Sequence, residues 1–500
     1  MTGSSKAAAG AFMILIVGLT LAPLLRDPHK GDSFPLSTYP MFARRATNAK
    51  MSLTYAVGLD AKAKRHYLRP DVVANGEVLQ ARAVLANARK RGKEAAKALC
   101  ERIAAKGALQ LAAVAGATFS EALLADAAGL DDPTPLIQEL AARNLVVRVP
   151  GTTDDWQLAS GLVREAALRG TLGVQRRDYH RLIAAAIERQ ADDLEPWAEE
   201  LMVHCAEGGR DVDAARYAFK AGQLLEREQE LERAASVYEQ GLTYVQRIES
   251  SDDYDAKVQG DAMLRLRLGV VRLLLGRAAR GQAALQLSLD IAAEAGLPWI
   301  EVRAHIALGR HYLQKGPRTL ARAHLDQAMA LLRLEDDDEL EREALEAAAA
   351  LAFDEGRDDD ATRLWQQAMA TAKHDPITMA RCLLGLATRT IRAGHLDQAE
   401  PLLAQALANA RRAGDRILEG RVLNNQGLLH SWREDHDRAL EFYRAALELR
   451  QSIGYTRGVA INQHNLGDVH LRRGDRVRAA GAFARSRDLA QSLGWASLVT

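Results

Sequence analysis

The sequence has few of the residues from which disulfide frameworks, metal sites and aromatic cores are built. It contains three cysteines, and only 5% of its residues are aromatic. Cys100, Cys205 and Cys382 are odd in number and far apart, so they offer neither a disulfide framework nor a four-cysteine zinc site. The chain also has no excess of positive charge, because its 66 basic residues are balanced by 65 acidic ones. This balance argues against a protein that binds nucleic acid along its whole length.

Recognisable catalytic motifs are also absent from the sequence. Its only Gly-Lys pair, Gly92–Lys93, is followed by Glu94, and position 87 is not the glycine that a phosphate-binding Walker loop requires. We find no G-x-S-x-G nucleophile elbow, H-E-x-x-H zinc helix, kinase signature or dinucleotide fingerprint. The sequence therefore predicts a protein that is not an enzyme and has no catalytic, cofactor-binding or metal-binding residue. An enzyme of an unrecognised type stays open as an alternative.

The N-terminus carries the longest apolar run. Ala7–Leu25 contains no charged residue and would span about 28 Å as a helix, close to the thickness of a bilayer core. We predict a transmembrane anchor over residues 1–26. A cleaved signal peptide is the alternative, but only Lys6 precedes the run and no clear A-x-A cleavage site follows it. More basic residues follow the run than precede it, which favours a cytoplasmic body.

Residues 27–76 form the predicted juxtamembrane segment. The stretch "FPLSTYPMFARR" (34–45) contains Pro35 and Pro40, which exclude a helix. It resembles a segment of short membrane-anchored bacterial proteins, which implies a bacterial inner membrane. "MSLTYAVGL" and "RHYLRP" then predict two short strands around a polar turn. Residues 77–106 predict a helix with a net charge of +5, either an ordinary solvated face or a contact with anionic lipid.

Residues 107–195 predict a small winged-helix-like unit. Two short helices meet at the turn Gly129–Pro135, "LVVRV" and "WQLAS" make a hairpin, and a longer helix follows. With "LVREAAL" (162–168) and "RRDYHRLIAAAIE" (176–188), this unit resembles the winged helix that follows the nucleotide-binding core of bacterial multidomain signalling ATPases. Residues 109–160 carry a net charge of −5, so we expect a protein-contact module and not a DNA-binding one.

That resemblance raises a question about the start of the unit, because no nucleotide-binding core precedes it. Two explanations stay open for the join near residue 106. The chain is a truncated or fused descendant that kept only the partner-binding arm, or the join is an artefact of the gene model.

A repeat of about 40 residues begins near residue 205 and predicts an all-α solenoid over residues 196–500. Small residues recur every 38 to 40 positions, at Gly269, Gly309, Ala349, Ala387, Gly427 and Gly467. Sixteen residues after each of them lies a bulky one: Leu285, Leu325, Trp365, Leu403, Tyr443 and Phe483. Such pairs fit two antiparallel helices, because a small residue lets the backbones approach and a large one fills the adjacent space. An earlier, less regular copy runs through Gly222, Ala234, Tyr238 and Gly241 and brings the number to seven. The pattern resembles the tetratricopeptide repeat, which implies a superhelix with a concave inner face.

The repeat decides how two histidines near the C-terminus are interpreted. His430 and His436 stand among Glu434, Asp435 and Asp437, which raises the alternative of a metal or acid–base site. Within the repeat frame, His430 lies three residues after Gly427, where such repeats usually carry a packing residue. His436 falls at an exposed turn with no second histidine four residues later, so we expect no metal there.

The resemblance also implies where a partner binds, because the first helix of each repeat lines the concave groove. The basic character of repeats five to seven favours an acidic or C-terminal peptide. The fourth repeat breaks this trend with Glu343, Glu346 and Asp354. The alternative is that these arginines are merely solvated. The predicted groove residues are Arg381, Arg392, Arg421, Asn424, Trp432, His464 and Arg472.

The sequence thus predicts a membrane-tethered interaction scaffold that binds a protein partner and no nucleic acid. The alternative is a regulatory subunit of a bacterial signalling or transcriptional system whose ATPase or kinase is on another chain.

Overall fold

The computed structural model describes residues 57–59, 65–67, 87, 90–91, 93–332, 337–372 and 374–493. The predicted anchor at residues 7–25 lies outside these ranges, as do most of the predicted juxtamembrane segment and the first part of the predicted basic helix. None of the helices within the described ranges is both long enough and apolar enough to cross a membrane. The chain divides into two compact units, Met1–Arg210 and Asp211–Thr500.

The first unit opens with a strand pair and a long helix. Strands β1 (Val57–Leu59) and β2 (Arg65–Tyr67) pair antiparallel, in agreement with the predicted strand pair. Helix α1 (Lys93–Ala115) runs through the predicted boundary at residues 106/107, which therefore does not coincide with a helix end. The helix continues past this point because Ala105, Ala108 and Leu111 are all buried on one side of it.

A small sheet with two short helices follows. Strand β3 (Thr118–Ser120) leads into α2 (Glu121–Ala128) and α3 (Thr134–Ala142), and β4 (Val146–Arg148) and β5 (Asp155–Leu158) form the predicted hairpin. The sequence did not predict β3, which pairs with β5 to give the strand order β3-β5-β4. Ser120 ends β3 and caps α2 by accepting a hydrogen bond from the Leu123 amide.

The single longer helix predicted after the hairpin is in fact two. Helix α4 (Gly161–Arg169) ends at Gly170, and α5 (Gly173–Gln190) begins three residues later. The Thr171 hydroxyl donates to the Ala167 carbonyl and so satisfies the end of α4. Helix α6 (Ala198–Glu207) closes the unit, whereas the sequence assigned this stretch to the repeat array.

In the second unit, the described residues form seven consecutive helix pairs, the number that the sequence predicts. We number these pairs as repeats one to seven and refer to the first and second helix of each. Their bounds are α7 (Asp211–Arg227) and α8 (Leu231–Gln246); α9 (Tyr254–Leu274) and α10 (Ala278–Ala295); α11 (Pro298–Lys315) and α12 (Arg318–Leu332); α13 (Asp338–Asp354) and α14 (Asp358–Thr371); α15 (Pro376–Arg392) and α16 (Leu396–Arg412); α17 (Arg416–Trp432) and α18 (His436–Ser452); α19 (Thr456–Arg472) and α20 (Arg476–Ser492).

The predicted small-to-large contacts hold each pair together. A Cβ atom added to Gly427 would lie 2.6 Å from Cδ1 of Tyr443, so the tyrosine ring rests directly on the glycine backbone. The same contact recurs at Gly269, Gly309 and Gly467, which meet the predicted leucine or phenylalanine of their own repeats. Repeat four adds a contact that the sequence did not predict, because Trp365 also packs on Gly385 of repeat five.

The turn between the two helices of a repeat contains a left-handed residue in repeats five to seven. Gly394 and Gly474 supply it in repeats five and seven, with φ angles of 80° and 78°. In repeat six, 40 residues from each of them, Glu434 adopts the same conformation with φ 61°. A side chain in this region is strained, so Glu434 occupies a position that suits glycine better.

Candidate functional site

The first helices of successive repeats adjoin one another throughout the array and so form one continuous surface. We call this surface the inner face. All the predicted groove residues lie on first helices of repeats five to seven. Their surroundings differ from one repeat to the next.

Repeats three and four pair their charges with each other. Arg310 of repeat three donates to Glu346 of repeat four at 2.6 Å, and its guanidinium lies 4.0 Å from Glu343. Burial opposes ionisation of Glu346, but Arg310 and the more distant Arg381 hold its pKa below the usual value. This part of the inner face is therefore electrostatically satisfied within the chain.

Repeats five and six carry two arginines without such partners. Among the residues that the structure describes, neither Arg381 nor Arg421 forms a hydrogen bond or an ion pair. Arg381 is partly buried, and this burial together with Arg310 lowers its pKa, while Glu346, Asp415 and Glu343 oppose the shift. Arg421 is exposed. Two guanidinium groups on one face thus have their donor groups available for a ligand.

A third arginine near this surface was not predicted, because it comes from a second helix. Arg450 is only 2% exposed, and its Nη1 donates to the Gly458 carbonyl at 2.9 Å and to Oδ1 of Asn462 at 2.5 Å. Burial lowers its pKa to about 10; Tyr455 opposes this shift and Arg421 adds to it. The guanidinium is therefore charged at neutral pH although it is buried.

Two glycines make room for this side chain. A Cβ atom at Gly458 would lie 2.6 Å from Cδ of Arg450, and one at Gly420 would lie 3.2 Å from its Cγ. Gly420 belongs to the first helix of repeat six and Gly458 to that of repeat seven. Arg450 therefore passes between two first helices, next to Arg421.

The predicted Asn424 lies in an internal network and is 9% exposed. Its Oδ1 accepts hydrogen bonds from Nδ2 of Asn462 at 3.2 Å and Nδ2 of Asn465 at 2.9 Å. Asn462 in turn accepts from Arg450, so the network joins repeats six and seven. The carbonyl oxygen of Asn424 is thus already engaged, and its amide nitrogen donates to Oδ1 of Asn425 at 3.4 Å, which leaves one amide hydrogen for a ligand.

The other predicted groove residues are exposed, and three of them have contacts of their own. The guanidinium of Arg392 lies 4.4 Å from the ring centre of Phe353, and Arg472 pairs with Asp468 at 3.0 Å. The His464 ring packs 5.3 Å from Phe483, whereas Trp432 is 47% exposed. Arg392 and Arg472 are therefore less available to a ligand than Arg381 and Arg421.

His430 packs as the repeat frame predicts. It is 5% exposed, and its ring stacks on Phe442 with the centroids 5.3 Å apart. Burial lowers its pKa, which favours the neutral ring. Over the described part of the chain, no three histidine, cysteine or acidic side chains come together in a way that could hold a metal ion.

Two pairs of histidines approach each other in a way that the sequence did not predict. The Nδ1 atoms of His180 and His204 are 2.9 Å apart, as are those of His305 and His324 in repeat three. Burial, reinforced by the partner ring, lowers the pKa of His180 and of His305 to about 4. Each contact needs one donor and one acceptor nitrogen, so it is lost if both rings of a pair are protonated.

Residues 418–492 match the tetratricopeptide repeat family, a range that holds repeats six and seven. No curated protein matches the chain in sequence.

Several solved structures are similar. The Rap conjugation gene regulator of plasmid pLS20, in complex with the Phr* peptide, is 11% identical with a TM-score of 0.50, over 63% of this chain and 90% of that one. The apo quorum sensor NprR of B. thuringiensis is 14% identical (TM-score 0.45, 65% of this chain, 90% of that one). A signal transduction ATPase with a tetratricopeptide repeat sensor, from Pyrococcus horikoshii, is 12% identical (TM-score 0.48), and the chain spans 60% of its length. At such identities, the likeness to the Rap regulator shows the fold alone.

Proposed function

We propose that this protein is a non-enzymatic interaction scaffold that binds an acidic segment of a protein partner on the inner face of repeats five to seven. The observation that carries this proposal is the pair Arg381 and Arg421, which form no hydrogen bond or ion pair among the described residues, although Glu346 attracts both from a greater distance. Arginine forks bind carboxylates in two-point contacts, so an acidic side chain or a C-terminal carboxylate fits them.

Two further observations support a peptide-like ligand. Trp432 is 47% exposed at the end of the first helix of repeat six and offers an apolar surface about three helical turns beyond Arg421. The Rap regulator that shares the fold was solved with a peptide. An extended segment satisfies both kinds of contact along successive first helices, whereas a compact small molecule would meet only one of them.

The test is selection from a peptide library displayed with free C-termini, using the full chain in detergent. We expect enrichment of acidic sequences, and loss of their binding when Arg381→Glu and Arg421→Glu are combined. The matched control is Arg433→Glu with Arg473→Glu, because these arginines already pair with Asp397 and Asp437. Peptides that bind the inner-face double variant as tightly as the native chain would contradict the proposal.

Membrane tethering is a separate part of the proposal, and it is supported by the uncharged run Ala7–Leu25. The scaffold would then hold its partner at the bacterial inner membrane, with the body in the cytoplasm. We expect carbonate-washed membranes to retain the full chain and to release a chain that starts at residue 46. Recovery of the full chain in the soluble fraction would contradict this part alone.

The first unit favours a second candidate function, a regulatory subunit of a signalling or transcriptional system. Its order of helix, strand, two helices and hairpin supports a winged-helix-like module. On the short helix α2, Glu121 accepts a hydrogen bond from Trp156 and Asp126 accepts one from Arg189. Co-purification of a kinase, cyclase or transcription factor with membranes that contain this protein would favour this role over a structural scaffold.

A further inference from the structure

The position of Arg450 is apolar in every other repeat. Counting seven residues after the bulky residue of the second helix, the remaining repeats have an aliphatic side chain, and all of these are buried. They are Val245, Ala292, Leu332, Ala372, Ala410 and Ala490. The other repeats therefore need only an apolar group at this position, and the charge of Arg450 goes beyond what the repeat requires.

The surroundings of Arg450 accommodate the side chain but do not neutralise it. Gly420 and Gly458 provide the space, and the hydrogen bonds go to a carbonyl and an amide oxygen, both neutral acceptors. No carboxylate lies within 4 Å of this guanidinium among the described residues, and its Nε is buried without a hydrogen bond. A buried charge without a counter-ion is unfavourable unless an anion compensates for it.

Two other arginines lie near Arg450 on the first helices of repeats six and seven. Arg421, the residue after Gly420, is exposed on the inner face, and Arg457 lies on the adjacent first helix. Burial and Arg421 lower the pKa of Arg457, whereas Tyr455 raises it. Arg421 thus repels the buried Arg450 as well as Arg457.

We propose that the inner face between repeats six and seven is an oxyanion site, in which Arg421 contacts the oxyanion and the buried Arg450 supplies balancing charge from behind. The occupant is a carboxylate of the bound peptide. This inference rests on the proposed function for the identity of the occupant, but the site can be tested without any peptide. Arg450 acts through the electric field and through Asn462, so it is a positioning residue.

Inorganic phosphate serves as the probe. The thermal midpoint of the full chain in detergent is followed by circular dichroism in phosphate and in chloride at equal ionic strength. Arg450→Met should keep or raise the midpoint in chloride, because it removes an uncompensated buried charge, and should lose the additional phosphate response. Arg450→Lys keeps the charge and should keep the response. Arg433→Met, whose arginine pairs with Asp397 and Glu400, reports the general effect of phosphate on the fold.

The outcomes separate this inference from alternatives. A phosphate response in Arg450→Met equal to that of the native chain would overturn it. A large loss of stability in chloride with an unchanged response would overturn it as well, because Arg450 would then be purely structural. If Arg450→Met fails to fold, Arg421→Met decides, since it changes an exposed side chain and should lose the response. A response shared equally by Arg433→Met and Arg421→Met means an adventitious ion only, which also overturns the site.

Peptides distinguish the sources of the oxyanion. A selected peptide with a free C-terminus and its acidic side chains should abolish the phosphate response, and we expect its Kd to rise about tenfold in Arg421→Met. A phosphate response that no acidic peptide displaces would keep the oxyanion site and reject the proposed peptide function. Peptide binding unaffected by Arg421→Met and Arg450→Met would keep the peptide function and reject this site.

Discussion

The inner face of repeats three and four differs from that of repeats six and seven in how its charges are balanced. Arg310 reaches Glu346 across two neighbouring first helices, so the array neutralises itself there. Arg421 and Arg450 form no ion pair with a carboxylate among the described residues, although the repeat geometry is the same. The comparison teaches that the repeat sets where side chains lie, while individual substitutions decide whether a surface is satisfied or available to a ligand.

The largest expected effect comes from breaking the ion pair between repeats three and four. Glu346→Ala leaves Arg310 without its nearest carboxylate, and we expect the free energy of unfolding to fall by about 2–4 kcal/mol, below the cost at a fully buried pair because Arg310 keeps some access to water. The urea midpoint measures this loss. Arg450→Met should cost far less or stabilise the chain. Equal losses in the two variants would remove the distinction between the two halves.

The next largest effect concerns the small residues at which the two helices of every repeat cross. Gly467→Leu and Ala439→Leu place a large side chain where two helices of one repeat cross closely, which should cost about 1–3 kcal/mol or more by overpacking. Gly309→Leu in repeat three should cost a similar amount, since Gly309 packs on Leu325 in the same way. Unchanged urea midpoints would show that the small positions are not required for packing.

A smaller expected effect is a pH dependence of the stability, which arises in repeat three. The pKa of His305 is about 4 in the folded chain and ordinarily near 6.5, so the unfolded chain binds the proton more readily between these values. The stability that the His305–His324 pair contributes is complete above pH 6.5 and is lost as the pH falls towards 4. We expect the free energy of unfolding, measured by urea titration, to be about 1 kcal/mol lower at pH 5 than at pH 7, after allowance for solvent screening.

His305→Asn combined with His324→Asn should flatten this pH dependence relative to the native chain. If the free energy of unfolding of the native chain and of the His305/His324 variant changed with pH in parallel, the pair would not couple folding to proton binding.

The smallest effect lies in the turn of repeat six. Glu434→Gly should stabilise the chain by about 0.5–1 kcal/mol, because glycine adopts the left-handed conformation without strain. Gly474→Ala, at the same position of repeat seven, should destabilise it by a similar amount. Thermal midpoints that move in the same direction in both variants would contradict the assignment of these turns.

The features that the sequence predicted correctly depend on local pattern. The contact of Gly427 with Tyr443 and the hairpin of β4 and β5 follow from spacing within one repeat or one turn, which any window of the sequence contains. Strand β3 was missed because three residues directly before a helix give no alternation to detect. The break between α4 and α5 was missed because Gly170 alone does not reveal a helix end.

The candidate site was only partly predictable for a different reason. Its predicted members came from first-helix positions, and this rule placed Arg381 and Arg421 on the inner face. It could not foresee that the Asn424 oxygen is engaged or that Arg392 packs over Phe353, because these contacts depend on the neighbouring repeats. Arg450 carried one detectable signal: a charged residue at a position that is aliphatic in the other repeats.

The most direct measurement of the central claim is a charge-swap cycle between Arg421 and the acidic residue of a selected peptide. The native chain and Arg421→Glu are each titrated, in detergent, with the acidic peptide and with its lysine counterpart. We expect Arg421→Glu to weaken the acidic peptide by about tenfold or more and to regain affinity for the lysine peptide. Losses that simply add, with no recovery in the swapped pair, would show that this inner face does not bind its partner through carboxylates.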